Sequence, residues 1–252
     1  MSSADTAHLL TALFIIGITA ESMTAAVAAG RMRMDLFGVI TLGALTALGG
    51  GTVRDIILDD YPLTWVEEPR YLIVVIVASV LTVKINWLMY HLRKFFLVAD
   101  AIGLAAFVVL GIEVALNLGY GIIIAAVAAV LTGVSGGVMR DVLSDRVPLV
   151  FRKELYASIA VMGTLLYFCL MWIGVPSWIN AIATVVFVLA VRLLSLKYNW
   201  SLPVFEFDDE VAAQFDPKMA LSYQIRRNAN RVPGARKAYR ALRRMSKKDD
   251  QE

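Results

Sequence analysis

Residues 46–63 read TALGGGTVRDIILDDYPL, and residues 132–149 read TGVSGGVMRDVLSDRVPL. At a constant offset of 86 residues the two stretches share 8 identities in 18 positions: Thr46/Thr132, Gly50/Gly136, Gly51/Gly137, Arg54/Arg140, Asp55/Asp141, Asp59/Asp145, Pro62/Pro148 and Leu63/Leu149. The same offset pairs Gly17 with Gly103, Ala20 with Ala106 and Glu68 with Glu154, so the repeated unit reaches well beyond the motif. The chain is a duplicated unit with additions.

The surroundings of the motif decide what kind of unit it is. Of 252 residues, 59% are hydrophobic and 18% charged, and the mean hydropathy is +0.68, outside the range of soluble globular domains. Crossing a hydrocarbon layer of about 30 Å takes about 20 apolar residues at a helical rise of about 1.5 Å. Seven runs answer to that length, at 9–29, 36–58, 70–90, 95–118, 120–143, 154–173 and 177–198. They are long and apolar on all sides, which points to helices and away from a barrel of alternating strands. The expected fold is therefore an all-α membrane protein with seven transmembrane helices.

Residues 1–8 are read as an external amino terminus, 9–90 as the first three-helix repeat and 95–173 as the second. The seventh helix, 177–198, has no partner in the repeat and is expected to brace the pair. The run at 9–29 is preceded by Asp5 and by no Lys or Arg, and it is too long for a signal core, so it is read as retained.

An odd number of spans per repeat makes the second copy enter the membrane from the opposite side, so the copies are inverted. If the helices alternate, one face carries the amino terminus and the loops near 59–70, 117–121 and 174–176, with Arg70 as its basic residue. The other carries Arg31, Arg33, Arg93, Lys94, Arg146, Arg152 and Lys153, then the basic tail. The bias puts the amino terminus outside and the tail in the cytoplasm of a plasma membrane, the inner membrane in bacteria.

Gly49, Gly50 and Gly51 stand inside an apolar helix, where each glycine costs about 1 kcal/mol relative to alanine. Two readings compensate for that. The second and fifth helices are broken at the glycines, with freed backbone facing protein or a polar path; or the small residues serve close helix packing, for which Gly133 and Gly137 have a four-residue spacing. The Arg-Asp pair after both glycine clusters favours the broken helices. Adjacent residues on a helix do not face each other, so Arg54 and Asp55 are expected to bond elsewhere, to freed carbonyls, another helix or water. The arginines then either face and gate a pore or anchor the helix ends. Glu21, Lys84, Asp100 and Glu113 are further ionisable residues in the runs, and Glu21 is the one placed too deep to be interfacial.

Other chemistry is absent from the pattern. No nucleophile stands beside a base, and GGGTVRD lacks the Lys-Ser/Thr of a phosphate loop, so no enzyme is expected. Cys169 is the one cysteine and is read as a small core residue. His8 and His91 have no partners at ligand spacing, so no metal and no cofactor is expected. The tail, 199–252, carries the acids Glu206, Asp208, Asp209 and Glu210, then 11 Lys and Arg with no acid between Lys218 and Lys248. Such a stretch suits anionic inner-leaflet lipid, at about 1 kcal/mol per charge, or serves only to fix topology. Nucleic acid is not expected as a partner.

The doubled GGxxRD motif followed by proline, with RMRMDLFGV at 31–39, AIGLAAFVVLG at 101–111 and ELYA at 154–157, resembles the bacterial relatives of the trimeric intracellular cation channels over about residues 9–198. The resemblance implies a homotrimer with one pore per protomer for monovalent cations such as K+ and Na+. It also implies that the second and fifth helices bend at their glycines and line the pore. Mapped onto this chain, the pore and gating residues are Gly49, Gly50, Gly51, Arg54 and Asp55, with Gly136, Gly137, Arg140 and Asp141. Ser135 departs from the pattern, replacing the first glycine of the second motif. Because the same branch is also labelled as glycine transporters, a carrier of a small solute such as glycine is the alternative, and inverted repeats suit both.

Overall fold

The computed structural model of the chain describes residues 3–85, 92–151, 155–198 and 200. The expected tail with its acidic patch and basic stretch, the end of the third run at 86–90, His91, and the basic Arg152 and Lys153 lie outside the described residues.

Eight α-helices and no strand occur among the described residues: α1 Ser3–Arg31, α2 Leu36–Leu58, α3 Thr64–Glu67, α4 Arg70–Lys84, α5 Leu92–Asn117, α6 Ile122–Leu143, α7 Ala157–Trp172 and α8 Ser177–Tyr198. The helix boundaries repeat as the sequence does. α5 ends 86 residues after α1, and α6 begins 86 residues after α2. Both motif helices close on an aspartate in the left-handed region, Asp59 at φ 56° and Asp145 at φ 50°. The amide after each turns back to the helix, Asp60 N to Asp55 O and Arg146 N to Asp141 O, both at 2.9 Å. Aspartate is among the few residues that enter this conformation readily, which makes it a workable helix stop.

The seven apolar runs map onto α1, α2, α4, α5, α6, α7 and α8, with α3 as one turn in a loop. Five of them, α1, α2, α5, α6 and α8, are long and apolar enough to cross a membrane. The third helix of each repeat is shorter. α4 has 15 residues and α7 has 16, lengths of roughly 22 and 24 Å. Of the seven expected spanning helices, five have that length among the described residues, and the helices of the third and sixth runs are shorter there.

α5 is central, packing against α1, α6, α7 and α8; α1 also packs on α2 and α4, and α2 and α6 pack on each other. The larger apolar cluster joins Leu104, Val108 and Ile112 of α5 to Ala128, Ile159 and Val188. A smaller one joins Ile18, Leu48, Val75 and Phe107. α8 meets α5 and α7, both of the second repeat, and α1 more lightly.

The expected breaks are not found: α2 is helical through Gly49, Gly50 and Gly51, and α6 through Gly136 and Gly137. The glycines have the other use. A Cβ on Gly50 would overlap the carbonyl oxygen of Thr132, and a Cβ on Gly136 would overlap that of Thr46. Residue 50 thus faces 132 while 46 faces 136, so the two helices run antiparallel and touch backbone to backbone at their centres. Thr46 and Thr132 turn their hydroxyls onto their own helices, to Leu42 O and Ala128 O at 2.7 Å, which leaves their carbonyl faces to the glycines. Met139 covers the third position, its sulfur 2.7 Å from where a Gly49 Cβ would lie.

Candidate functional site: two arginines on opposite sides of a helix crossing

Arg54 and Arg140 each stand four residues beyond the glycine at the crossing, about 6 Å along the helix. Because the helices are antiparallel, the arginines lie on opposite sides of it. Both are buried, at 2% and 0% exposure.

In each motif the arginine pairs with the aspartate that follows it. Arg54 Nε donates to Asp55 Oδ1 at 2.8 Å, and Nη2 contacts the same oxygen. Arg140 Nε donates to Asp141 Oδ1 at 3.0 Å. This corrects the expectation that neighbours on a helix bond elsewhere. The rule concerns short side chains on a helix surface, whereas a guanidinium arm curls around to its neighbour, and a buried carboxylate without a donor would be unfavourable. The second carboxylate oxygen fastens the helix end to the following loop. Asp55 Oδ2 accepts from Thr64 N at 3.1 Å and Thr64 Oγ1 at 3.0 Å; Asp141 Oδ2 accepts from Leu149 N at 3.0 Å.

Beyond this shared plan the halves differ. Arg54 Nη2 donates to Thr64 Oγ1 at 3.2 Å, and the nearby Trp65 Nε1 donates to Thr52 Oγ1 at 3.0 Å. Arg140 Nη1 reaches three partners on other helices: Glu21 Oε2 at 3.3 Å, Thr24 Oγ1 at 2.9 Å and Asp100 Oδ1 at 3.0 Å. The guanidinium lies 4.7 Å from the centroid of the Phe96 ring. Asp100 Oδ2 is 4.0 Å from Arg192 Nη2 of α8, and Arg192 also donates to Leu155 O at 3.2 Å and stacks 4.5 Å over Tyr156. At the 86-residue offset the counterparts of Glu21, Thr24 and Asp100 are Phe107, Leu110 and Phe14. The first half therefore holds an aromatic group where the second holds acids, with Phe14 at 6.4 Å from Phe107 and edge-on to Tyr71 at 4.5 Å.

Gly49, Gly50, Gly51, Gly136 and Gly137 thus gather at one crossing, with Arg54/Asp55 and Arg140/Asp141 apart on its two sides. Glu21, singled out as too deep to be interfacial, is fully buried against Arg140. Asp100, read as lying near a run end, is 0% exposed and belongs to the same cluster. Arg192 was missed, although a lone arginine well inside the seventh run is a signal of the same kind. Glu113 lies elsewhere, accepting from Tyr167 Oη. Lys84 and His8 are exposed at helix ends. Cys169, expected in the core, is exposed on α7. No group of His, Cys, Asp and Glu fit to hold a metal ion occurs among the described residues.

Comparison with known proteins joins these features to a family. The family model described as glycine transporter matches twice, at residues 11–87 and 97–172, in the register of the repeat. The UPF0126 inner membrane protein YadS of Escherichia coli K12 is 38% identical over 199 residues, covering 78% of this chain and 96% of that protein. The UPF0126 membrane protein YvgT of Bacillus subtilis is 37% identical over 196 residues, covering 76% and 94%. Among solved structures, one reported for conductance through TRIC cation channels is 35% identical, with a TM-score of 0.72 over 79% of this chain and 98% of that one. The TRIC trimeric intracellular cation channel orthologue from Rhodobacter sphaeroides is 33% identical, with a TM-score of 0.71 over 76% and 98%. Together with five apolar helices of spanning length, these relatives make the protein a multi-pass inner-membrane protein and not an enzyme. The chain belongs to the family of bacterial TRIC-like membrane proteins that takes in the UPF0126 proteins and carries the glycine transporter model.

Proposed function

We propose that the protein is a cation channel, passing monovalent cations such as K+ and Na+ through one pathway in each protomer of a homotrimer. The observation that carries this reading is the likeness to TRIC cation channel structures, whole-length on their side at 98% coverage and 35% identity. The crossing of α2 and α6 supports it. The pathway follows these two helices, with Gly49, Gly50, Gly51, Arg54 and Asp55 on one side and Gly136, Gly137, Arg140 and Asp141 on the other as its pore and gating residues.

Arginine beside a cation path is acceptable only when its charge is matched. Two unit charges 4 Å apart repel by about 4 kcal/mol at an effective dielectric of 20. Here each guanidinium is paired to a carboxylate and buried. The described conformation is then a closed one, and opening requires an arginine to move with its partner. The basic-residue bias orients the seven-run chain with its amino terminus outside, Arg54 toward the outer face and Arg140 toward the cytoplasm. The basic stretch between Lys218 and Lys248 suits anionic lipid as a partner.

The test is flux. Vesicles holding the purified protein and a K+ gradient should show unsaturating K+ flux and unitary current steps. Saturable glycine uptake without unitary current would refute the channel reading and favour a carrier. Cysteines placed at Tyr120 and in the tail of a Cys169→Ser protein should be labelled from outside and inside respectively. Labelling of both from one face would overturn the orientation.

A further inference from the structure

The two arginines differ in the range of the contacts that hold them. Asp55 and Thr64, the partners of Arg54, are one and ten residues along the same stretch of chain. A shift of the α2 end carries all three as one body. Glu21, Thr24 and Asp100, the partners of Arg140, are 119, 116 and 40 residues away, on α1 and α5. A shift of the α6 end has to part these contacts.

α8 adds to the asymmetry. It has no counterpart in the first repeat, and it delivers Arg192, fully buried, to the far side of Asp100. Asp100 thus sits between two guanidiniums, and Tyr156 and Phe96 each cover one of them. Gly103, across from Glu21, leaves room for its carboxylate, since a Cβ there would lie 2.9 Å from Glu21 Cγ. The equivalent Gly17 lies under the Phe107 ring. The duplicated frame is the same in both halves, but it encloses a charged cluster in one and an aromatic one in the other.

We propose that Glu21, Asp100 and Arg192 are positioning residues that lock Arg140, and with it the α6 end, to α1, α5 and α8. The movement that opens the pathway then takes place at the Arg54 end of α2. This rests on the reading that the two arginines flank the cation pathway, and it assigns them unequal parts: Arg140 is the fixed element and Arg54 the moving one.

Gly51 and Gly137 are equivalent positions that report on this. A Cβ at Gly51 would meet Arg54 Nη2 at 3.9 Å, and one at Gly137 would meet Arg140 Nη2 at 3.5 Å, both ordinary contacts. The experiment places Gly51→Cys or Gly137→Cys in a full-length Cys169→Ser protein, purified in detergent so that a small water-soluble thiol reagent meets both faces. Gly51 is half-buried and Gly137 buried, so Gly51→Cys should react faster from the outset, and the response of each rate to a second substitution reports local opening. Adding Glu21→Gln should raise the Gly137→Cys rate about tenfold and leave Gly51→Cys within about twofold. Where Glu21→Gln does not fold, Thr24→Val removes the hydroxyl that accepts from Arg140 at 2.9 Å and donates to Glu21, keeps the Glu21 carboxylate, and should change the rates in the same direction. Equal rates at the two cysteines, no response of Gly137→Cys, or an equal response at both sites overturns the lock. Labelling does not depend on what crosses the membrane, so failure of the lock and failure of the channel reading appear in different measurements.

Discussion

Gly50 packs directly on the carbonyl oxygen of Thr132, and the inverted copy of this contact sets Gly136 on the carbonyl of Thr46. The obstacle to a side chain at either glycine is backbone on a facing helix, which can yield only if the helices separate. Gly50→Ala and Gly136→Ala should therefore each destabilise by about 3 kcal/mol, toward the upper end of overpacking effects. Gly51→Ala and Gly137→Ala meet only ordinary contacts and should fall within about 1 kcal/mol of the parent. Thermal unfolding of the four purified variants checks this. An equal loss in all four would mean that the glycines are needed for something other than the crossing.

The arginines should separate in the same way. Arg140→Ala leaves Glu21, Asp100 and Asp141, all buried, without their shared cation, and removing one partner of a buried ion pair costs about 3–5 kcal/mol. Arg54→Ala leaves Asp55 with both of its bonds to Thr64, so the loss should be smaller, about 1–3 kcal/mol. Both should change K+ conductance or open probability, whereas Arg33→Ala, at an exposed residue between α1 and α2, should not. Unchanged currents from both variants would reduce the arginines to anchors.

Gly103 and Glu21 form a tighter couple than their neighbours. A Cβ at Gly103 would press on Glu21 Cγ and Cδ, at 2.9 and 3.0 Å, and push the carboxylate off Arg140. Gly103→Ala should be more harmful in the parent than in a Glu21→Ala background. A double-mutant cycle on unfolding temperature should give a coupling of about 1–3 kcal/mol. Additive effects would show that the carboxylate is free to move aside.

How far the sequence carried can be judged from these same residues. The ends of α1 and α5 and the starts of α2 and α6 keep the 86-residue register, because the duplication preserves turn chemistry such as Asp59 and Asp145 along with the apolar runs. Glu21 stood out by depth alone. The register says less about how the two copies meet, since the use of Gly50 and Gly136 depends on antiparallel contacts between residues 82 and 90 positions apart. Glycine clusters in isolation fit a break as well as a crossing. The acid cluster is long-range as well: Asp100 lies near the end of its run and looks interfacial by itself, and nothing local ties it to Arg192, inside the seventh run. The contact among α1, α5, α6 and α8 makes them a unit.

A second polar cluster ties the seventh helix to the repeat and gives the last expectation. Tyr167 on α7 donates its hydroxyl to Glu113 on α5. Its backbone carbonyl accepts from Asn180 Nδ2 on α8 at 2.8 Å, and Thr184 Oγ1 donates to Asn180 Oδ1 at 3.4 Å. Tyr167 is 2% exposed and Glu113 9%, so water is a poor substitute for either. Tyr167→Phe deprives a buried carboxylate of its donor and should destabilise by about 1–3 kcal/mol. Glu113→Gln keeps an acceptor oxygen for the tyrosine and should cost less than about 1 kcal/mol. Replacing both partners with apolar groups, as in Tyr167→Phe with Glu113→Leu, removes the stranded polar group and should restore most of the loss. Thermal unfolding of the three variants decides. If Tyr167→Phe unfolds at the parent temperature, the Glu113 contact adds nothing to stability, and α7 is held to α5 by packing, with the Asn180 bond to the Tyr167 carbonyl still joining α8 to α7.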